Sequence, residues 1–431
     1  MTRKDQLHRM LTRILWLTII ILILWFAGIV NRSVPDRLSI VEDETEELHF
    51  NIPLQATIHS ESAEVVLSDA SNIPARELHL SPNQPFFLYS QNQGKYELAL
   101  KLFGWIEWKT IEVDVVDSRY VVPCGVPVGI YLKSDGILVI GTGELSAADG
   151  TTKEPAAGVL RTGDYIQAIN GHPLKDKETL ITEVNAIQEG EARLTVRRDG
   201  SPIEVSLHPV STSDGSYKLG AWVRDDTQGI GTMTYMDVQG NFGALGHGIS
   251  DSDTGDVVEI EHGALYETSI VGIEKGTLGT PGVMSGVIYY GPGTRLGEIT
   301  SNTDVGIFGT AAGTLAERMS GESIPVAHRQ EVTKGEAVLR SSISGEIRDY
   351  KIEILKVDPS SSHRNKGIVI RVVDEELLKL TGGIVQGMSG SPIIQNGKLA
   401  GAVTHVFIQD STRGYGVFAE TMVEEEGRNL R

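Results

Sequence analysis

At 431 residues the chain is too long for one ordinary hydrophobic core, and its length predicts two to four domains. With 40% apolar residues, 22% charged residues and 48 glycines, it reads as a globular protein of many turns and short strands. A formal charge of −19 leaves no basic stripe to neutralise phosphates, which argues against a nucleic-acid partner. Cys124 is alone, so no intrachain disulfide or thiolate metal site can form. The eleven histidines are scattered without a His-x-x-x-His or His-Cys grouping, and no metal or other cofactor is expected.

Arg3, Lys4, Arg9 and Arg13 precede "ILWLTIIILILWFAGIV", seventeen residues from Ile14 to Val30 without a charge. At 1.5 Å per residue this is about 26 Å of helix, the short end of a bilayer span. Basic residues ahead of a span stay on the cytoplasmic side. Residues 1–30 therefore read as a cytoplasmic tip and transmembrane signal-anchor, with the bulk of the chain extracytoplasmic. The following "FAGIVNRS" has no good small-x-small frame, which favours an uncleaved anchor over a removed signal peptide.

Residues 31–118 alternate in short runs such as "LHFNIPLQATIHS" and "KYELALKLFGWIEWKTIEVDVVD", the period of strands in a small β-domain. They carry no chemistry and read as a spacer or packing module.

In residues 119–210, Pro155-Ala-Ala-Gly158 predicts a short helix and Arg161-Thr-Gly-Asp164 a turn into an apolar strand. Asn170-Gly171 has the form of a tight hairpin turn. The stretch "ETLITEVNAI" predicts a helix with Leu180, Val184 and Ile187 on one face. Around "RTGDYIQAINGHPL" the segment resembles a PDZ domain of the bacterial protease-associated kind. In that family an apolar-Gly-apolar loop offers backbone N–H groups to a peptide C-terminus, which then adds as a strand. The resemblance places this loop at Val128, Gly129 and Ile130.

Residues 211–431 are rich in glycine and short β-like runs, enough for two small barrels of about six strands each. The best helix candidates are "AAGTLAERMS" and "DEELLKLTGG". Near the end stands "GGIVQGMSGSPIIQNGKLAGAVTH". A serine hydroxyl needs a base to take its proton and donors to hold the resulting oxyanion. Gly387 and Gly390 permit a tight loop around Ser389, and "PIIQNGKLAGAVTHVF" reads as a β-hairpin turning at Asn396-Gly397. A second Met-Ser-Gly at Met284–Gly286 lacks the preceding glycine and the following proline, so Ser285 is rejected.

The base should lie on an earlier strand. His247 in "GNFGALGHGISD" is best placed, with His262, His328 and His363 as rivals. Asp374 is a candidate acid that reads equally well as a helix N-cap; Asp251, Asp253, Asp256 and Asp304 are alternatives.

The Gly387–Pro392 loop and its hairpin resemble the trypsin-like peptidases. That resemblance makes Ser389 the nucleophile, the N–H groups of Gly387 and Ser389 the oxyanion hole, His405 a wall of the substrate cleft, and Gly383 the floor of the specificity pocket. With the anchor and PDZ-like segment, the motifs "GALGHGISD", "GMSGSP" and "YGVFAE" resemble the stage IV sporulation protein B peptidases of endospore-forming bacteria. The resemblance implies a catalytic triad of His247, Asp374 and Ser389. It implies export into the space between the forespore membranes and self-cleavage under partial control of the PDZ domain. It further implies cleavage of a membrane regulator that silences an intramembrane protease, which then processes a pro-sigma factor. The expected architecture is thus mainly β: an N-terminal transmembrane helix, a β-rich spacer, a PDZ domain and a double β-barrel peptidase. The competing expectation is a membrane-tethered PDZ adaptor with an inactive peptidase domain.

Overall fold

The computed structural model describes residues 3–50, 55–62, 64–69, 75–80, 84–277, 279–313, 315, 321–359 and 361–429. The chain is mainly β and divides into two compact units, one of Met1–Arg119 with His328–Thr333 and Asp358–Ser362, the other of the remainder. Most of the expected helix at Ala311–Ser320 lies outside the described residues.

The first unit opens with the helix Arg3–Ser33. Within it, Met10–Asn31 has a mean hydropathy of 2.5, long and apolar enough to cross a membrane by length and composition. The side chains of Leu11, Ile14, Leu15, Trp16 and Trp25 are exposed. Beyond the helix, a five-stranded and a three-stranded sheet bury Leu38, Ile40, Ile58, Leu67, Phe86, Leu98 and Ile111 in one core. Alternating burial along Phe86–Ser90 is the period-two pattern that the sequence carries.

The second unit is organised by two long strands, Tyr120–Thr142 and Ala221–Asp237, paired antiparallel over nearly their full lengths. Along the first half of Tyr120–Thr142, Cys124, Val128, Ile130 and Leu132 join Met233, Phe242, Leu265, Ile299 and Ile307 in one core. Beyond Gly136, Ile137 and Val139 turn into a different core with Ile166, Leu180, Val184, Leu194 and Val196. The expected boundary at 118/119 falls beside the division at Arg119/Tyr120, whereas that at 210/211 does not separate modules, because the two strands pass through both cores. Alternation marks a strand in sequence but says nothing of which strands it will pair with.

The first core is wrapped by a ring of strands. In order these are Tyr120–Thr142, Ala221–Asp237, Asn241–Ala244, Gly306–Ala311, Arg295–Thr303 and Ile260–Tyr266, the last pairing back onto the first. A closed barrel of Gly335–Ser341, Arg348–Val357, Ile368–Val372, Asp410–Phe418, Lys398–Phe407 and Pro392–Gln395 follows. Two six-stranded barrels are present as expected, but the first takes a strand from before residue 211. Around the second core, the helix Lys177–Ile187 is capped by Asp176 and buries Leu180 and Val184. Pro155–Gly158 forms turns and not a helix. Asn170-Gly171 and Asn396-Gly397 both take positive φ at both residues (50° and 82°, 52° and 76°), the geometry of tight hairpin turns.

Candidate active site

Ser389 sits in a loop between the short strand Val385–Gln386 and the barrel strand Pro392–Gln395. Gly387 (φ +103°) and Gly390 (φ +95°) shape it. A Cβ at Gly390 would lie 2.0 Å from the Thr232 carbonyl oxygen, so only glycine fits there. The loop is tied by Met388 N–H to the Val385 carbonyl (3.1 Å), Ser391 N–H to Met388 (2.9 Å) and Gly390 N–H to Val403 (2.7 Å). Among the described residues, the N–H groups of Gly387 and Ser389 make no backbone hydrogen bond outside the strand ladders. They are the two donors that the sequence assigns to an oxyanion hole. The Ser389 hydroxyl itself donates to the Thr404 carbonyl at 2.8 Å.

His247 follows the strand Asn241–Ala244 through a left-handed turn at Leu245 (φ +69°) and Gly246 (φ +70°). The flanking glycines serve close packing. A Cβ on Gly246 would press on Val417 and Thr404 at 2.9 and 3.0 Å, and one on Gly248 would meet the Thr303 carbonyl at 2.5 Å. The His247 Nδ1–H donates to the Gly248 carbonyl (2.8 Å), which leaves Nε2 as the basic nitrogen. Burial pushes its pKa below the usual imidazole value against the opposing pull of that carbonyl, so the ring is neutral and able to accept a proton. His405 stacks against it at 5.0 Å between ring centroids. Although one face of His405 is exposed to solvent, desolvation against the cleft wall first, then repulsion from His247 and Lys366, lowers its pKa to about 4. Ser389, His247, His405, Gly387 and Ile130 line one cleft of about 610 Å³.

Several expected site residues stand elsewhere. Asp374 caps the helix Glu375–Thr381, its carboxylate accepting from the N–H groups of Leu377 (3.0 Å) and Lys351 (3.2 Å). It makes no hydrogen bond to His247, so the expected triad contact is absent and the capping role accounts for the residue. Among the described residues no carboxylate bonds the imidazole. Asp251 and Asp253 pair with Arg224, and Asp304 with Arg364. Of the rival histidines, His262 and His363 are exposed and line no part of the cleft, and His328 belongs to the other unit. Ser285 lies exposed on the strand Gly282–Ile288. Gly383 is not in the cleft; its φ of +135° and the Ser411 carbonyl 2.2 Å from a would-be Cβ make it a packing glycine.

Val128, Gly129 and Ile130 cannot serve as a peptide-capturing loop. They run mid-strand, with Gly129 paired to Ile230 on one side and Tyr266 on the other. A different apolar-Gly-apolar run, Leu219-Gly220-Ala221, borders a groove of about 470 Å³ against Leu180, Ile181 and Val184 of the helix Lys177–Ile187. Gly220 has φ +74°, the N–H groups of Leu219 and Gly220 make no backbone bond outside the strand ladders among the described residues, and Trp222 is 60% exposed at the rim. The sequence held this signal in "KLGAW", but two such runs compete and only the pairing decides between them.

Sequence reasoning also missed the residues that hold the site. Asn302 bonds both Ile249 backbone groups (2.8 and 2.9 Å), Arg224 holds the Asp251–Asp253 turn, and Thr232 bonds the serine loop. Isolated polar residues in strands give no signal of such roles.

Residues 215–423 match the family described as SpoIVB peptidase S55. Among solved structures, the chain is similar to the Rv3671c protease in an inactive form, at 16% identity over 47% of this chain and 85% of that one, with a TM-score of 0.25. It is likewise similar to a serine-to-alanine mutant of Rv3671c from M. tuberculosis H37Rv, also an inactive form, at 15% identity over 47% and 83%, with a TM-score of 0.24. Comparison with curated proteins gives no match.

Proposed function

From the premise that residues 215–423 belong to the SpoIVB S55 peptidase family, we propose that the chain is a membrane-anchored serine endopeptidase working through Ser389 and His247. One observation carries the reading: a glycine-shaped loop presents Ser389, its own N–H and that of Gly387 making no backbone bond outside the strand ladders among the described residues, in the same cleft as a neutral histidine with Nε2 available. In the resting state the hydroxyl donates to the Thr404 carbonyl, so that bond must break before its proton passes to His247. The Ser389 oxygen then bonds the substrate carbonyl carbon as its proton passes to His247 Nε2. The Gly387 and Ser389 N–H groups take the oxyanion, and the imidazolium returns the proton to the leaving amine. Water, deprotonated by the same nitrogen, releases the acyl group. The Gly248 carbonyl holds the imidazole tautomer in the place usually given to a carboxylate.

The biological targets in this reading are the chain itself and the extracytoplasmic part of a membrane regulator that restrains an intramembrane protease of a pro-sigma factor. The family and the apolar N-terminal helix support it. The groove between Leu219–Val223 and the helix Lys177–Ile187 takes an extended peptide C-terminus in PDZ fashion, its carboxylate on the Leu219 and Gly220 N–H groups.

A fluorophosphonate probe tests the chemistry. It labels the full chain in detergent, and Ser389→Ala, which removes one oxygen, abolishes both labelling and self-shortening. An alanine variant that still shortens itself, purified free of other proteases, refutes the nucleophile. An unlabelled wild type favours the second reading, an adaptor with an inert peptidase fold, for which the Ser389–Thr404 bond speaks.

A further inference from the structure

Thr232 is buried at 3% exposure on the long strand Ala221–Asp237, where that strand ceases to pair regularly with Asn241–Ala244. It touches neither the cleft nor any ionised group. Yet its polar atoms reach both halves of the catalytic pair. Its N–H donates to the Ser389 carbonyl (2.9 Å), and its Oγ1 donates to the Gly387 carbonyl (2.8 Å). Its own carbonyl accepts the N–H of Leu245 (3.2 Å), two residues before His247.

The consequences follow from peptide planarity. Fixing the Gly387 and Ser389 carbonyls fixes two peptide planes, and the plane carrying the Ser389 N–H lies between them. The plane of the Gly387 carbonyl is otherwise held only by the Met388 N–H on the Val385 carbonyl (3.1 Å), and at Gly387 no side chain limits its rotation, so the Thr232 hydroxyl is the second hold that fixes its tilt. Gly390 shows how tight the clamp is, since no side chain fits between it and the Thr232 carbonyl. The Leu245 bond fastens the histidine turn to the same residue.

We propose that Thr232 is a positioning residue, a strut that sets the span between His247 and Ser389 and aims the oxyanion donors. The proposal rests on the serine-peptidase reading. Two variants isolate the hydroxyl: Thr232→Ser and Thr232→Ala both lose the methyl group, and they differ only in the oxygen. The full chain in detergent is titrated with a fluorophosphonate probe to separate the maximal phosphonylation rate from probe affinity. Misplacement of reacting groups by about 1 Å costs on the order of 10²-fold. Thr232→Ala is therefore expected to lose about 10²-fold in maximal rate with affinity changed less than about twofold. Thr232→Ser is expected to keep a rate within about threefold of wild type. A merely structural role would lower the two variants alike, in step with their melting temperatures. Equal rates in the serine and alanine variants, or an alanine variant as fast as wild type, overturn the strut while wild-type labelling keeps the peptidase reading alive. A wild type that neither labels nor cleaves overturns both.

Discussion

His247 and His405 are two imidazoles held mostly neutral within one cleft, and the sign of their titration follows. In the unfolded chain each binds a proton near pH 6.5; in the fold His405 does so only at about 4, and His247 also below its usual value. Between those pH values the unfolded state carries more protons, so stability is complete above pH 6.5 and declines as the pH falls toward 4. His405→Asn is expected to flatten the fall in Tm between pH 6.5 and 5, measured by differential scanning calorimetry. The acid limb of Ser389 labelling should have its midpoint below 6.5, because the base works neutral. A midpoint at or above 6.5 would contradict the burial that lowers His247. The serine loop was legible in the residues because its requirements are local: glycines at positive φ, a turn, a hairpin. His247 was legible only as the best of four histidines, since its value lies in what folds against it.

At the scale of elements, Asp374 shows how one residue supports two readings until its neighbours are placed. On the helix Glu375–Thr381 it satisfies the Leu377 N–H and reaches across to the Lys351 N–H. Asparagine caps about as well as aspartate, whereas alanine costs roughly 1 kcal/mol. Asp374→Asn is therefore expected to leave Ser389 labelling within about threefold of wild type, and Asp374→Ala to lower Tm. A large loss of labelling in the folded asparagine variant would restore the carboxylate to the catalytic group. The groove beside the helix Lys177–Ile187 makes a separate prediction. Binding of a fluorescent peptide with an apolar, free C-terminus, read by anisotropy, should be lost on amidation of the peptide and on Ile181→Glu. Ile181 is 56% exposed at the groove, so the change spares the core. Equal binding of the amidated peptide would remove the carboxylate from the contact. Here the sequence displayed the helix and its buried face, but it offered two glycine runs for the loop. Strand pairing, a long-range property, rules out the first.

For the whole molecule, composition foretold a mainly β chain, and two rings of six strands each beside several open sheets bear that out. The apolar helix was equally plain, because a run of side chains with nothing to bury against needs no tertiary knowledge to detect. What stayed hidden was the partition of the second unit. Tyr120–Thr142 and Ala221–Asp237 are each read once in the chain and used twice in space, as walls of the groove-bearing core and as staves of the barrel that carries His247. That sharing has an evolutionary side. A cassette domain joined by a loop can be duplicated, exchanged or lost while its neighbour survives. Here excision of the groove-bearing module would take staves from the barrel with it, so recombination can transmit the two only together.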